Sequence, residues 1–389
     1  MIVFLSLGVR MSTASWIGPA GTDLFGNLGT LSLAFAIQSL FWGIGTPVAG
    51  NIADKYGAGR VIVAAGILYT VGLLLMTVST APWMAHISIG VFTGFAMSGA
   101  MFPIILSAIS RVVPPKKRDL YLGIASAGGS SGQVLMIPVG HYLVQNEGWV
   151  FTLYVMAGLT ALIVPLAVAM MRKRDAAPSG APVVLQATSA AMREAFGHSG
   201  YRLLIAGYFV CGLQTMFIGT HFVVMLENLT VDPAVAAYAL ALIGLFNIIG
   251  TFAWGTMGGR FRQKYLLCWL YSLRSLAMIV FILMPISSVS VIVFSCVMGL
   301  LWLGTVPLTG SIVARVFGLR HMGMLFGFAF VAHQLGSFIG IYGAGVFFDM
   351  FGNFNIIWWA AIIMGLVASV MNYPINDKPI ERQAVPQAA

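Results

Sequence analysis

The chain alternates between long apolar runs and short polar segments. A bilayer with a hydrocarbon core about 30 Å thick needs roughly 20 apolar residues of helix to cross it. The pattern therefore predicts an all-α integral membrane protein with twelve transmembrane helices in two six-helix bundles. The runs, which we number as spans 1 to 12, lie near residues 1–22, 31–52, 60–80, 83–111, 119–145, 149–171, 201–226, 232–258, 265–285, 288–312, 320–347 and 353–373.

The longest polar interruption separates the two sets of six spans. It opens with "RKRD", passes through Pro, Gly and Ala, and ends in a short amphipathic stretch near 185–196. We predict an N-terminal six-helix bundle at 1–171, a cytoplasmic linker at 172–200, a C-terminal six-helix bundle at 201–374 and a cytoplasmic tail at 375–389. The start "MIVFLS" lacks a basic segment and a clear cleavage site, so we interpret it as span 1 and not as a signal peptide.

Composition supports the membrane assignment and excludes other classes. Of the 389 residues, 59% are hydrophobic and 8% are charged, whereas soluble domains carry about 25% charged residues. No nucleophile–base pair, phosphate loop or cofactor motif occurs, so we expect neither an enzyme nor a bound cofactor. Cys211, Cys268 and Cys296 are scattered through apolar runs and are interpreted as small hydrophobic residues, not as a disulfide set or metal ligands.

The net charge of +9 reports the orientation of the chain in the membrane. With the N-terminus placed in the cytoplasm, the loops on the opposite side hold no Lys or Arg, as the positive-inside rule requires. Both termini are then cytoplasmic, and the charge gives no reason to expect a nucleic-acid partner. The cytoplasmic basic residues are Lys55, Arg60, Arg111, Lys116, Lys117, Arg118, Arg172, Lys173, Arg174, Arg193, Arg202, Arg260, Arg262, Lys264, Arg315, Arg320, Lys378 and Arg382.

The two halves of the chain repeat each other at an offset of 204 or 205 residues. "GNIADKYGAGR" begins at Gly50 and "GTMGGRFRQK" at Gly255. "RVVPPKKRDLYLG" begins at Arg111 and "RVFGLRHMGMLFG" at Arg315. Parallel six-helix repeats of this kind, with a site at their interface, describe a class of secondary transporters.

The segment between spans 2 and 3 resembles a loop signature of the major facilitator superfamily. That pattern has Gly, then Asp four residues on, a basic residue, Gly and a further basic residue. The second copy keeps Gly255 and Arg260 but has Gly259 where Asp would stand. The resemblance covers essentially the whole chain and implies the major facilitator fold. Within the superfamily, "FVCGLQTMFIGTH", "GLFNIIGTFAWG", "WLGTVPLTG" and "HQLGSFIG" are similar to a bacterial subgroup allied with monocarboxylate porters.

Asp54 of this signature is a candidate gating residue at the cytoplasmic junction of spans 2 and 3. There its carboxylate can accept hydrogen bonds from a helix N-terminus, for which span 11 is the candidate, and can pair with Arg111 or Lys55. We expect this cluster to latch the cytoplasmic side shut when the cavity faces outward; ordinary loop charge is the alternative. The predicted gating residues are Gly50, Asp54, Lys55, Gly57, Arg60 and Arg111.

Arg10 is a candidate substrate ligand. The resemblance implies a central cavity surrounded by spans 1, 4, 7 and 10, and a charge at bilayer depth costs about 2.5–3.5 kcal/mol on insertion scales. No predicted span carries Asp or Glu in its interior, so an anionic substrate would supply the partner for the guanidinium. Snorkelling to the interface, or bonding to carbonyl groups, is the alternative. The predicted substrate-binding residues are Arg10, Ser12, Thr13, Gln214 (the repeat mate of Arg10), Trp302, Thr305, His333 and Gln334.

Two further residues within spans carry candidate chemistry. Arg274 lies in span 9, a supporting helix, and is interpreted as bonding carbonyl groups of a neighbouring helix, with substrate binding as the alternative. His333 alone among the six histidines lies near the predicted midplane, so it is the candidate proton carrier; a neutral histidine bonded to a backbone carbonyl is the alternative. Pro307 offers a kink in span 10.

These features favour a secondary transporter that works by alternating access and moves a small organic anion with proton coupling. A multidrug or amphiphile–proton antiporter is the alternative, although cationic-drug exporters usually keep a membrane-embedded acid. Metal transport through Met216, His221 and Met225 is less favoured, because methionine is common in membrane helices, and we expect no bound metal. A receptor of the same fold has no sequence support. We expect a monomer in the lipid bilayer of a bacterial inner membrane.

Overall fold

A computed structural model describes residues 1–25, 29–171, 187–229, 231 and 233–380. Residues 172–186 of the predicted linker and 381–389 of the predicted tail lie outside the described residues. Within the described ranges the chain is helical and contains no β-strand. The helices are α1 (Ile2–Phe25), α2 (Gly29–Tyr56), α3 (Ala58–Thr77), α4 (Pro82–Ala85), a π-helical segment (His86–Phe92), α5 (Thr93–Ala100), α6 (Phe102–Val112), a 3₁₀ turn (Pro115–Lys117), α7 (Arg118–Ala161), α8 (Ile163–Met171), α9 (Thr188–Gly197), α10 (Ser199–Asn228), α11 (Pro233–Gly258), α12 (Gln263–Leu283), α13 (Ser288–Leu300), α14 (Thr305–Phe317), α15 (Met322–Phe351) and α16 (Asn355–Asn372).

The prediction of twelve transmembrane helices is confirmed. Ten helical stretches of the described residues are long and apolar enough to cross a membrane. One of them, Pro115–Ala169, has 55 residues and reverses at Gly148, so it supplies both span 5 and span 6. Gly148 makes the reversal possible, because glycine has no Cβ and can adopt its φ of 84° without a steric clash. The remaining span is α1, whose apolar part Ile2–Thr13 is short but whose helix continues to Phe25.

Spans 4 and 10 are interrupted at corresponding places. In span 4 the helix breaks at Met101, which has an extended backbone. In span 10, α13 ends at Leu300 and α14 begins at Thr305. Pro103 and Pro307, which the repeat aligns, lie in the first turns of α6 and α14, where a helix does not need their N–H donors. The kink expected at Pro307 is therefore a break that precedes it.

The repeat in sequence is also a repeat in packing. We call α1–α8 the N half and α10–α16 the C half; α1 packs along α7 in one, and α10 along α15 in the other. A methyl group added at Gly8 would come within 2.8 Å of the carbonyl oxygen of Gly132. One added at Gly212, the repeat mate of Gly8, would come within 2.8 Å of the carbonyl carbon of His333. Small residues permit backbones to approach this closely.

The two halves meet along α2 with α15 and along α7 with α11. The approach is close at the end that carries the basic loops, which we call the basic end. A methyl group at Gly323 would lie 3.2 Å from the carbonyl oxygen of Gly50, and one at Gly123 would lie 2.9 Å from the Cα of Gly255. The basic end of the molecule is therefore closed in this conformation.

The first residues of the predicted tail fold against the basic end. Asp377 forms an ion pair with Arg262, just before α12, and Lys264 Nζ donates a 2.9 Å hydrogen bond to the carbonyl oxygen of Ile375. Ile375 and Asp377 are both buried. Burial raises the pKa of Asp377, but the hydrogen bond and charge of Arg262 outweigh it, so this pKa lies below its ordinary value.

Candidate functional site

Arg10 lies in the N half, where the described residues offer its guanidinium few hydrogen-bond partners. Its Nη1 donates a 3.1 Å hydrogen bond to Thr13 Oγ1, one turn further along α1. The guanidinium stacks over the ring of Phe35, with 5.1 Å from Cζ to the ring centroid. Its Nε is buried and has no hydrogen-bond partner among the described residues. The ion pairs of the described residues, Arg111–Asp54 and Arg262–Asp377, leave Arg10 without a carboxylate.

The two hydroxyl residues predicted beside Arg10 differ in where they point. Thr13 contacts the guanidinium and donates its own hydroxyl to the Arg10 carbonyl oxygen at 2.6 Å. Ser12 is fully buried and donates to the carbonyl oxygen of Val9 at 2.8 Å. A methyl group at Gly140 would lie 3.0 Å from Ser12 Cβ, so Ser12 faces α7. Thr13 therefore belongs to the surroundings of Arg10, and Ser12 belongs to the helix packing.

Arg274 bonds the broken part of span 10, which confirms the prediction that it bonds carbonyl groups of a neighbouring helix. It is fully buried, and its Nη2 donates to the carbonyl oxygens of Leu301 and Trp302 at 2.6 and 2.7 Å. The neighbouring carbonyl oxygen of Leu300 accepts a 2.9 Å hydrogen bond from Trp254 Nε1. Non-helical backbone at membrane depth persists where such partners satisfy it.

Gln214, the repeat mate of Arg10, lies inside the C half with Arg274. Its Oε1 accepts a 3.2 Å hydrogen bond from Arg274 Nη1, and its Nε2 donates to the carbonyl oxygen of Ala361 at 2.9 Å. The residue is fully buried between α10, α12 and α16. The structure does not bring Gln214 to Arg10, because a long polar side chain at this position finds its partners within its own bundle.

Trp302 and Thr305 flank the break in span 10. The Trp302 carbonyl oxygen bonds Arg274, while its side chain is buried in the apolar core of the C half. Thr305, the first residue of α14, places its Oγ1 3.0 Å from the sulfur of Cys211. Cys211 is a free cysteine in the buried hydrophobic core, as interpreted, although Arg274 Nη1 also lies 3.7 Å from its sulfur.

His333 and Gln334 are adjacent on α15 and are both buried. His333 Nδ1 lies 3.3 Å from Gln334 Oε1 and 3.4 Å from Ser337 Oγ, and its ring stacks on Phe330 at 5.3 Å between centroids. Gln334 packs against the N half, since a methyl group at Gly43 would lie 3.1 Å from its Cβ. The pair thus connects the interior of the C half to the interface with α2.

Asp54 lies where α2 meets the start of α15 at the basic end. Its two carboxylate oxygens accept hydrogen bonds from the backbone N–H groups of Gly323 and Met324, at 3.1 and 2.9 Å. Arg111 of α6 forms an ion pair with the same carboxylate. Because α15 belongs to the C half, this carboxylate joins the two halves through a helix N-terminus, which favours negative charge.

The other residues of the loop signature have different surroundings. Gly50 gives α15 room to approach, since a methyl group there would lie 2.6 Å from the backbone nitrogen of Met324. Gly57 turns the chain between α2 and α3 with a φ of 97°, which glycine tolerates. Lys55 and Arg60 are exposed on the basic end.

A second carboxylate between the halves, Asp119, was not predicted. It lies at the start of α7, is buried, and accepts hydrogen bonds from Ser311 Oγ and, at 3.2 Å, from Gln263 Nε2, both of the C half. A methyl group at Gly258 would lie 3.4 Å from Asp119 Oδ1. The repeat aligns Asp119 with Gly323 and Asp54 with Gly259, so the acid missing from the second loop signature comes from the opposite helix. In the sequence, the alignment of Asp119 with Gly323 was the signal that could have identified Asp119.

Two of the residues considered as soft metal ligands, His221 and Met225, have other partners. His221 Nε2 lies 2.9 Å from the carbonyl oxygen of Ile341, and the sulfur of Met225 accepts a 2.9 Å hydrogen bond from Trp358 Nε1. In the part of the chain that the structure describes, no three His, Cys, Asp or Glu side chains converge as a metal site requires.

Known proteins are similar to this chain in sequence and in fold. A family model described as Major Facilitator Superfamily matches residues 1–204 and 203–388. The chain is 24% identical to the uncharacterized MFS-type transporter YcxA of Bacillus subtilis, over 90% of this chain and 86% of that protein. It is also 24% identical to monocarboxylate transporter 13 of Rattus norvegicus, over 83% and 74%. The solved structure of the MFS transporter FucP in the outward conformation superposes with a TM-score of 0.70 at 16% identity, covering 95% of this chain and 97% of that one.

Proposed function

The chain belongs to the major facilitator superfamily of membrane transporters, and on that premise we propose that it moves a small organic anion, a carboxylate, together with protons. As a member of that superfamily it is a transporter and not an enzyme. Its similarity to monocarboxylate transporter 13 supports the carboxylate class of cargo. The same similarity leaves the individual substrate to experiment.

The guanidinium of Arg10, which has no carboxylate partner among the described residues, is the observation that carries this proposal. Arginine stays charged at any physiological pH, and within the described residues Arg10 has Thr13 as its hydrogen-bond acceptor and Phe35 as its aromatic neighbour. A carboxylate can take two parallel N–H bonds from a guanidinium. The carboxylate of the substrate would therefore supply a negative charge and hydrogen-bond acceptors to Arg10. The ring of Phe35 would offer an apolar surface to the rest of the substrate.

Alternating access is the proposed mechanism, with Asp54 as part of its cytoplasmic latch. The halves are in contact at the basic end, where Asp54 accepts two backbone N–H bonds from α15 and pairs with Arg111. If the basic end is cytoplasmic, as the charge distribution predicts, this conformation faces outward. Breaking these contacts would let the halves rock open toward the cytoplasm.

His333 is the proposed carrier of the coupling proton. Histidine titrates near physiological pH, and this one is buried beside Ser337 and Gln334 at the interface with α2. Its proton state can therefore influence contacts that change during alternation. We further propose that the protein acts as a monomer in a bacterial inner membrane, with both termini in the cytoplasm.

Uptake into proteoliposomes tests the cargo. Purified protein is reconstituted, an inward proton gradient is imposed, and a panel of labelled monocarboxylates and dicarboxylates is offered. We expect gradient-driven accumulation of at least one carboxylate by the wild type and none by Arg10→Gln. Arg60→Gln is the matched control, because it removes an exposed arginine charge from the basic end and should transport normally.

The antiporter alternative has its own outcome in the same vesicles. Export of lipophilic cations driven by the inward proton gradient, with no carboxylate transported, would favour the multidrug antiporter and contradict the anion proposal. His333→Ala separates coupling from carriage: it should abolish gradient-driven accumulation but preserve counterflow, which requires no net proton movement. Gradient-driven accumulation by His333→Ala would assign the proton to another residue.

A further inference from the structure

A groove with a volume of about 440 Å³ lies between α10, α15 and α16, and we call it the C-half groove. All three helices contain stretches that are long and apolar enough to cross a membrane. The residues that line the groove belong to the C half alone, and Val367 in its wall is 50% exposed. The groove therefore opens on the surface that the C half presents to the bilayer.

The C-half groove begins at the basic end and runs toward the middle of the membrane. Arg202 is the fourth residue of α10 and Met371 is the last but one of α16, so both lie at the basic end. Val210 follows Arg202 by eight residues on α10 and lies about 12 Å deeper at a rise of 1.5 Å per residue. One end of the groove is thus at the membrane surface, and the other is at acyl-chain depth.

The chemistry of the lining changes along this direction. At the basic end Arg202 contributes a charge, whereas the other lining residues, among them Ile205, Phe209, Val367 and Met371, are apolar. Ligand sites in proteins have volumes of about 300–1,000 Å³, so the groove is of a suitable size for one hydrocarbon chain. A ligand that matches both parts has an anionic head and an apolar tail.

The guanidinium of Arg202 is placed to meet such a head group. Its side chain is exposed, and the ion pairs of the described residues, Arg111–Asp54 and Arg262–Asp377, do not include it. A guanidinium can donate two parallel N–H bonds to a phosphate. If the basic end is cytoplasmic, as the charge distribution predicts, Arg202 lies at the leaflet whose anionic lipids attract arginine and lysine.

We propose that the C-half groove binds an anionic phospholipid, with its phosphate at Arg202 and one acyl chain between α10 and α16. This site is separate from the one proposed for the substrate, because Arg10 belongs to the N half. Since one half supplies the whole lining, rocking of the two halves as bodies would leave the groove intact. The lipid would therefore stay bound through the transport cycle and would not be cargo.

A second groove shows what the charge at Arg202 adds. It lies between α12 and α13 and has a volume of about 650 Å³, but its lining, which includes Leu276, Val280 and Val293, contains no charged residue. Apolar walls of this kind accept the acyl chain of any phospholipid. A preference for anionic over zwitterionic lipids therefore distinguishes the C-half groove from this one.

Native mass spectrometry of the full chain in detergent tests the site. The protein is titrated with phosphatidylglycerol or with phosphatidylcholine of the same acyl chains, and the dissociation constant of the first bound lipid is measured. We expect the wild type to bind phosphatidylglycerol about tenfold more tightly, the effect of one charge-assisted contact. Arg202→Gln, which changes an exposed side chain, should remove this preference.

Two further variants locate the lipid. Arg60→Gln is the matched control, because Arg60 is exposed near the start of α3 and does not line the groove; it should keep the preference. Ala206→Phe adds a ring to the lining of the groove and leaves Arg202 in place, so it should weaken the binding of phosphatidylglycerol. Unchanged binding by Ala206→Phe would overturn the placement of the acyl chain.

Three other outcomes would overturn the proposal. Equal affinity of the wild type for the two lipids would mean that the groove does not select an anionic head group. Equal losses in Arg202→Gln and Arg60→Gln would assign the preference to the general positive charge of the basic end. Competition by glycerol 3-phosphate as strong as that by phosphatidylglycerol would identify a site for free phosphate esters and not for a lipid.

Discussion

Arg10 is half-buried and Arg274 is fully buried; both are guanidinium groups inside spans, one in each half, yet they stand at different positions of the repeat. Arg10 aligns with Gln214, and Arg274 aligns with Tyr69 at the offset of 205 residues. Arg274 bonds two carbonyl oxygens and Gln214, whereas Arg10 bonds Thr13. The same charge thus stabilises backbone in the C half, whereas in the N half we propose that it binds a ligand.

The two carboxylates at the basic end also come from positions that are not equivalent in the repeat. Asp54 reaches from the N half to the N-terminus of α15, and Asp119, at the start of α7, meets Ser311 and Gln263. In each contact one helix supplies the acid and the aligned position of the other copy is glycine. The repeat therefore keeps the contact between helices and not the residue type at each position.

Replacing each arginine by glutamine tests the difference between them most directly. Arg274→Gln leaves the carbonyl groups of Leu301 and Trp302 without donors, at about 1–3 kcal/mol for each buried unsatisfied group. Arg10→Gln removes one hydrogen bond to Thr13. We expect thermal unfolding in detergent to show a large fall in midpoint for Arg274→Gln and a small one for Arg10→Gln. Falls of equal size would mean that Arg10 is also a structural cation.

Substrate affinity gives the converse ranking for Arg10. Arg10→Gln should weaken binding of the transported carboxylate by about 2–5 kcal/mol if the charge pair is desolvated. Arg10→Lys keeps the charge without the planar fork, so its affinity should lie between those of the wild type and Arg10→Gln. Isothermal titration of the substrate that the uptake panel identifies measures this, with Arg60→Gln as the control. Wild-type affinity in both Arg10 variants would remove the main support for an anionic cargo.

The two carboxylates at the basic end can be compared in the same manner. Hydrogen bonds to charged groups contribute about 1.5–3 kcal/mol, so Asp54→Asn should weaken the closed basic end and slow transport while substrate binding survives. Asp119→Asn should act in the same direction but less, because its described partners are neutral side chains. Distances between spin labels on α2 and α15 would report the opening. An unchanged transport rate and unchanged distances in Asp54→Asn would contradict the latch.

The ion pair between Arg262 and Asp377 should have the smallest effect. Because the pKa of Asp377 is lowered in the folded protein, the pair stabilises the folded tail above the ordinary carboxyl value, about 3.9, and this contribution is lost as the pH falls through the lowered value. Arg262 is half-exposed, so solvent screens the pair and its contribution to stability is small. Hydrogen exchange at residues 375–380 of Asp377→Asn should be faster at neutral pH and equal to wild type in strong acid. A difference that grows on acidification would reverse the expected sign.

Hydropathy and charge by themselves determined the span count and the predicted orientation. The apolar length needed to cross a bilayer leaves little freedom in counting spans, and motifs at a constant offset revealed the internal repeat. The family followed from the loop signature around Asp54. Each of these features can be recognised within one segment of the sequence or by aligning two segments.

The contacts between polar side chains became evident from the tertiary structure alone. In a membrane helix the positions that face lipid and those that face protein are both apolar, so the sequence carries no periodic signal that fixes the rotation of a helix about its axis. The direction of Gln214 toward Arg274, the surroundings of Cys211 and the contact of Asp119 with Ser311 all depend on that rotation and on the break in span 10. A buried polar group takes whichever partner the packing of neighbouring helices brings within reach, and that packing involves residues 60 to 192 positions apart.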